Sequence, residues 1–463
     1  MMGKSSNWSR VSSSSVCISR PRARVTFRAP MLPPGPGKLF SIPAAIRMLG
    51  DPPGFIRAST ARYGPVWRSA IPDRGRLAHL VWMIGPEGNE RILAPPHKDD
   101  FSWYEGYRFT MESIFGANNL LLLDGEAHRE RHRALLPAFH PRMDAPYLAA
   151  IESIAERHFA SWKGEIDLAG ECKRIAFHIV ANLLFGAPDE DLDRLNHLFE
   201  EVGLGLFSIF RLRLPGTRFL RGLRARGALS TYIQARINAY QSSGNIPENL
   251  LGSLMDSERR GGGPLSDETL VAEMVAMLFA GYDTTASLLG SFWAELGGRP
   301  DVQTALLEEA RGSSQSTFAS LMEQRMLGAA LQEAERMHPP LTFCMRGVRR
   351  GFVFRGFDVP AGAKVAWSAS ATGRMAERFA DPDTFRPERF LDGTRYPPYA
   401  LVGFGGGHRA CIGKRFAALE MRLLIQLILR RFQVEHIAGQ SNAMIYNPAP
   451  QRQHGYRVKV IPR

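Results

Sequence analysis

The chain has 463 residues, 44% of them hydrophobic and 22% charged, with a formal net charge of +13. This is a globular composition that excludes a disordered or fibrous protein, and the length allows roughly three average domains or one large one. Four cysteines, Cys17, Cys172, Cys344 and Cys411, stand far apart without CxxC spacing. They support neither a disulfide scaffold nor a zinc ribbon, and a reducing compartment, the cytoplasm, is the simpler reading.

The excess charge argues less for a nucleic-acid partner than its size suggests. Residues 1 to 30 hold Lys4, Arg10, Arg20, Arg22, Arg24 and Arg28 with no acidic residue, so nearly half of the excess lies in one Ser/Arg-rich extension. Such a segment is either a targeting sequence or an over-extended start. The folded part is expected to begin near Met31, at the run Met31-Leu32-Pro33-Pro34-Gly35-Pro36-Gly37. No apolar run reaches the ~18 residues a spanning helix needs, so no transmembrane anchor is expected.

Two short strands are predicted first, Val66 to Ile71 and His79 to Ile84, from β-branched and aromatic residues bounded by Pro and Gly. From Pro86 to Ala330 the pattern is mostly helical. His128 to Phe139, Leu148 to Trp162 and Glu171 to Phe185 repeat apolar residues at three and four. Loops are marked at Gly244 to Pro247, Arg259 to Pro264 and Gly312 to Thr317. Beyond Pro339 come turns and short strands such as Phe352 to Phe354 and Lys364 to Trp367, then a last helix from Gly413 to Phe432.

The segment Ser266 to Gly298 predicts a helix of unusual length. Ser266 can cap it, Asp267 and Glu268 occupy its positive first turn, and Gly297, Gly298 and Pro300 end it. Apolar residues surround its middle, which should therefore cross the interior. Within that run stand Ala280, Gly281, Tyr282, Asp283, Thr284 and Thr285. A mid-helix Gly costs about 1 kcal/mol against Ala, and an unpaired buried carboxylate costs several more. Either a functional groove or a solvated notch accounts for them.

Phe404-Gly405-Gly406-Gly407-His408-Arg409-Ala410-Cys411-Ile412-Gly413 delivers one cysteine to a helix start. The partial positive charge of that terminus and the Arg409 guanidinium both predict a lowered thiol pKa, and the glycines would let a flat ligand lie against the backbone. Competing readings are an inert buried cysteine, a phosphate loop, which lacks the Lys-Ser/Thr ending, and a His408–Cys411 zinc pair, which lacks two further ligands.

At this loop the sequence resembles the cytochrome P450 haem-thiolate monooxygenases, of the soluble bacterial type. Phe404, Gly407, Arg409, Cys411 and Gly413 match every fixed position of FxxGxRxCxG. Glu333-Ala334-Glu335-Arg336 matches ExxR, Phe385 to Phe390 matches the PERF stretch, and Ala280 to Thr285 matches the oxygen-groove motif. The resemblance implies a mainly α fold with a small β subdomain, a single domain over 31–463, and haem b between the long helix and the cysteine helix. Cys411 would be the iron ligand. Propionate partners would be Arg409, Arg346 and His128, with His132 standing where the family usually has Arg; an exposed basic helix face is the alternative for both histidines. Glu333, Arg336 and Arg389 would form a buried network.

On the distal side Thr284 and Asp283 would deliver protons, and Gly281 would open the helix for oxygen. The pair favours dioxygen over peroxide as oxidant. Tyr104 and Phe109, in a loop over the pocket, with Ala280, Leu341 and Phe343, would face a hydrophobic substrate such as a fatty acid, terpenoid or polyketide. Leu204 to Phe219 would be the lid, its arginines (Arg211, Arg213, Arg218) either near the mouth or exposed. Electrons would come from a separate ferredoxin or flavodoxin with an NAD(P)H-dependent reductase. Lys173, Arg409, Lys414, Arg415, Arg422, Arg430 and Arg431 would supply a basic docking face, or else be scattered solvated charge. The protein is read as a monomeric monooxygenase of lipid oxidation or secondary metabolism. Desaturation, coupling or ring formation by the same iron, and haem-based sensing without turnover, are the alternatives.

Overall fold

The computed structural model describes residues 31–463 apart from 37–40, 74–75, 207, 209–210, 246, 257–262, 264, 313–315 and 447–448. The extension 1–30, and parts of the predicted loops at 244–247, 259–264 and 312–317, lie outside the described residues. The rest is mainly α-helical with small sheets.

One helix organises the fold. Asp267–Leu296 runs for 30 residues, and the Ser266 side chain accepts the Thr269 N–H at its start. It is buried almost throughout because both ends of the core are built on it. Its first half packs with helices Leu168–Phe185, Asp189–Leu206 and Arg218–Ser243. Its second half packs with Asp144–Phe159, Pro300–Gly312, Arg325–Met337 and Lys414–Arg431. Gly281 and Gly290 both face the Leu168–Phe185 helix, where a Cβ would meet Val180 at 3.3 Å and Ala169 at 3.3 Å respectively. The two helices lie close because those positions carry no side chain.

A five-stranded sheet forms the β subdomain, in the order Val66–Asp73, Arg76–Met83, Lys364–Trp367, Cys344–Val348, Phe101–Ser102. Arg76–Met83 and Lys364–Trp367 run parallel, with Trp82 opposite Ala366; the other neighbours are antiparallel. Trp67 and Trp82 stack at 5.0 Å on one face. A second sheet joins Gly164–Asp167 to Arg457–Pro462 and Phe432–His436. Its first strand interrupts a region that reads as helical, since four residues show no period and their partner lies almost 300 residues away.

Tyr104 and Phe109, expected in a loop, lie on a helix. Trp103–Phe115 is helical, capped by the Ser102 hydroxyl, which accepts the Glu105 N–H at 3.0 Å.

Candidate active site

The cysteine loop is a chain of tight turns. Gly405 donates its N–H to the Val402 carbonyl at 2.9 Å, and Cys411 donates to Phe404 at 2.9 Å. Gly407 has φ +62°, and a Cβ there would lie 2.0 Å from the Leu93 carbonyl oxygen. The glycine at 407 therefore admits the Pro86–Leu93 helix. Gly413 sits at the N-cap of Lys414–Arg431, and the Cys411 sulfur lies 3.9 Å from where a Gly413 Cβ would be.

The expected lowering of the Cys411 thiol pKa does not appear among the protein's own groups. Burial is the largest influence and pushes it up; the Gly413 and Lys414 N–H groups and the Lys414 ammonium pull it down by less. Arg409 is turned elsewhere. Its guanidinium pairs with Asp124 at 2.9 Å and donates to the Leu123 carbonyl.

Four of the proposed anion partners come together. His128, His132, Arg346 and Arg409 line one cavity of about 250 Å³, with Trp103, Asp124, His408 and Arg349. His128 is buried at 6% exposure, which overturns the exposed basic face for that residue. Burial, and then the Arg409 charge, lower His128 to about 3, so with protein groups alone it is a neutral N–H donor, and His132 is lowered for the same two reasons. Arg346 lies 3.5 Å over the Trp103 ring and 4.6 Å from that of Trp367, donates to the Met345 carbonyl at 2.7 Å, and has no ion pair among the described residues. Burial pulls its guanidinium pKa down. The Trp103 indole N–H is buried without a partner. A buried cation without an anion, beside an unmatched donor, suits a ligand bearing carboxylates.

Asp124 holds this cluster and escaped sequence reasoning. Its carboxylate accepts the Ser102 hydroxyl, the Trp103 N–H at 2.9 Å, Arg409 at 2.9 Å and Arg349 at 3.0 Å. The available signal was an Asp-Gly pair just ahead of the helix that carries both histidines.

Across the interior, the central helix is buried on both sides of a short opening at Ala280, Gly281 and Thr284. The helix is continuous through Gly281, where a Cβ would meet Val180. Thr284 donates its hydroxyl to the Ala280 carbonyl at 2.8 Å, and Thr285 to that of Gly281 at 3.0 Å. Asp283 is 5% exposed and accepts the Ala449 N–H at 3.2 Å and the Gln451 amide at 2.8 Å. Burial raises its carboxyl to about 6, against the pull of Lys173 and of those hydrogen bonds. That excludes the solvated notch for Asp283: it is a buried acid that titrates near neutrality.

Glu333, Arg336 and Arg389 come together, each at most 1% exposed. Arg336 reaches both Glu333 oxygens at 2.7 and 2.8 Å, Arg389 donates to one at 3.0 Å, and the Arg386 N–H to the same oxygen at 2.8 Å.

The expected pocket residues are more scattered. Ala280 shares the opening with Thr284. Tyr104 donates to Glu112 at 3.1 Å, Phe109 is 37% exposed beneath Arg211, Leu341 is 42% exposed, and Phe343 packs on Trp82 at 5.1 Å. Arg211 ties the lid region to the helix below, donating to Ser113 at 2.7 Å and Thr110 at 2.5 Å, whereas Arg213 and Arg218 are exposed. The basic face also thins. Lys173 pairs with Glu200, Arg415 with Asp144, and Arg422 and Arg430 donate to backbone carbonyls.

The sequence profile of the family described as Cytochrome P450 matches residues 33–460. The chain belongs to the cytochrome P450 family. It is 30% identical over 437 residues to a putative cytochrome P450 120 of Synechocystis, covering 93% of this chain and 96% of that one. It is 28% identical to a taxane 10-beta-hydroxylase of Taxus cuspidata, covering 93% and 90%, and 26% identical to a beta-amyrin 28-monooxygenase of Vitis vinifera, covering 95% and 94%. A solved structure of cyanobacterial CYP120A1 with retinoic acid bound superposes with a TM-score of 0.86 at 29% identity, covering 94% of this chain and all of the other. The protein is thus a P450 monooxygenase whose cofactor is haem, and the P450 fold implies a hydrophobic substrate, dioxygen and a redox partner. No helix among the described residues is long and apolar enough to cross a membrane.

Proposed function

We propose that this P450 hydroxylates an isoprenoid lipid, with Cys411 as the iron ligand. The substrate class is supported by the names of its relatives, since taxane, β-amyrin and retinoic acid all have isoprenoid skeletons. A thiolate-ligated haem supplies electron-rich iron for oxygen activation. In this reading Arg346, Arg409, His128 and His132 bind its carboxylates, and Asp124 presets the Arg409 fork. Phe404, Arg409 and Gly413 belong to the loop that presents the sulfur.

The Asp283–Thr284 pair carries the dioxygen reading. Burial raises the Asp283 carboxyl to about 6 while Ala449 and Gln451 hold it, and its neighbour in sequence, Thr284, faces the opening and can rotate its hydroxyl away from Ala280 toward a bound ligand. The surrounding apolar helix excludes water. Electrons come from a separate ferredoxin or flavodoxin with its NAD(P)H-dependent reductase. The protein works as a monomer in a reducing cytoplasm, consistent with Cys172 and Cys344 buried as free thiols.

The carbon monoxide difference spectrum of the reduced protein tests the ligand: a strongly red-shifted Soret band in the wild type, lost in Cys411→Ser. Turnover with surrogate ferredoxin and reductase on diterpene, triterpene, retinoid and fatty-acid panels tests the class. Product from fatty acids alone would refute it. Thr284→Ala is expected to consume NADPH with less product; unchanged coupling counts against the proton role.

A further inference from the structure

The antiparallel strands Met444–Tyr446 and Pro450–Arg452 lie against one face of the central helix. Asp283 and Ser287, four residues apart, share that face. The Ser287 hydroxyl donates to the Pro450 carbonyl at 2.6 Å. Both Asp283 oxygens are held from the same short stretch of chain: Oδ1 accepts the Gln451 amide at 2.8 Å and Oδ2 the Ala449 N–H at 3.2 Å. Ala280 and Thr284, also four apart, form the neighbouring stripe that faces the opening, about 100° round the helix. Asp283 is buried, whereas its partner Gln451 is half-buried.

The two partners differ in what they can do. The Ala449 N–H is a fixed donor and can meet only an accepting oxygen, whereas the Gln451 amide carries both an NH2 and a carbonyl and by turning over presents either. When Asp283 is ionised, both of its oxygens accept. When it is protonated, Oδ2 still accepts the Ala449 N–H, so the proton belongs on Oδ1, where the turned amide accepts it. With a partner of one kind only, a buried carboxyl would be left unsatisfied in one of its two states. The charges acting on Asp283 from the helices packed beside it are Lys173 and Glu200, ion-paired to each other at 3.0 Å; Lys173 favours the ionised form and Glu200 the protonated one.

We infer that Gln451 is a positioning residue acting through Asp283, its amide holding the carboxyl group in one orientation in both protonation states and keeping the exchangeable proton on Oδ1. This rests on the Asp283–Thr284 pair serving proton delivery. A carboxyl group free to turn would present its proton in many directions; held at both oxygens, it is pre-organised for transfer.

The test is infrared titration of the haem-loaded full chain carrying isotope-labelled aspartate, in which the Asp283 acid band is the one lost in Asp283→Asn. In the wild type this band should fade as pH rises through about 6. Gln451→Leu keeps bulk without a polar atom. Because the hydrogen bond to the ionised form is the stronger, its loss should move the fading upward by about one pH unit. Ser287→Ala, which removes a bond to the strands without touching the carboxyl, should leave the titration in place. Product formed per NADPH, with surrogate ferredoxin and reductase, should fall in Gln451→Leu, and its pH dependence should move up with the band. An unmoved titration in Gln451→Leu would overturn the inference, and an equal shift in Ser287→Ala would overturn it in favour of strand docking. Wild-type coupling in Asp283→Asn would instead refute the proton-delivery reading, whatever the band does. If Gln451→Leu fails to load haem, Gln451→Glu, which keeps an acceptor and loses the donor, decides the matter by the same upward shift.

Discussion

Two buried carboxylates, Glu333 and Glu273, each at 0% exposure, are treated differently by the same fold. Glu333 has both oxygens occupied by two guanidiniums and a backbone N–H, and the arginines continue to the carbonyls of Gly373, Pro382 and Ala380. Glu273, on the central helix, has one oxygen paired with Arg131 and the other buried without a partner. Burial outweighs the arginine and raises its carboxyl to about 7. A buried charge becomes a rigid anchor only when every lone pair is matched; half-matched, it becomes a titrating group. Glu333 fastens the ExxR helix to the PERF turn. Glu273 links the central helix to the helix of His128 and His132 more loosely.

Breaking the first network should have the largest effect. Arg336→Met leaves Glu333 sealed with half its partners and is expected to cost about 3–5 kcal/mol, read as lost soluble yield or a much lower unfolding midpoint. Arg131→Met should cost less, about 1–3 kcal/mol, because Glu273 already accepts a proton near neutrality. Adding Glu273→Met should bring stability back to within about 1 kcal/mol of the wild type, since an apolar pair replaces a poorly satisfied ionic one. A double variant as unstable as Arg131→Met alone would place Glu273 with Glu333 as an anchor.

The smallest effect is a pH slope. Folded, Glu273 keeps its proton up to about 7; unfolded, it releases it at the ordinary value of 4.5. Its contribution to stability is in place below about 4.5 and is lost as pH rises through about 7. Wild-type stability should therefore fall relative to Glu273→Gln across that window, by less than about 1.4 kcal/mol per pH unit, in paired denaturant melts. Parallel curves would remove the titration.

Glu273 also shows where sequence reading stopped. Asp283 stands out as a carboxylate in an apolar helix; Glu273, ten residues earlier in the same run, carries the same signal and is just as buried. Which of the two would find a guanidinium depended on Arg131, on another helix. The loop with Cys411 was legible because its glycines, arginine and cysteine are contiguous. What the glycine at 407 is for was not, since its reason is the Leu93 carbonyl. Similarly, Arg409 beside Cys411 in sequence suggested a shared electrostatic role, and the fold sends it to Asp124.

The sequence by itself determined the long central helix, the capped start at Ser266, the cysteine at a helix N-terminus and the family, because these rest on local periodicity and contiguous motifs. Only the tertiary structure decided which charges meet. Ion pairs such as Arg409–Asp124 and Arg131–Glu273 join residues 285 and 142 positions apart. The thiol of Cys411 was misjudged for the same reason: a helix terminus and a neighbouring arginine are visible in the sequence, whereas the desolvation that outweighs them comes from chain packed around the loop.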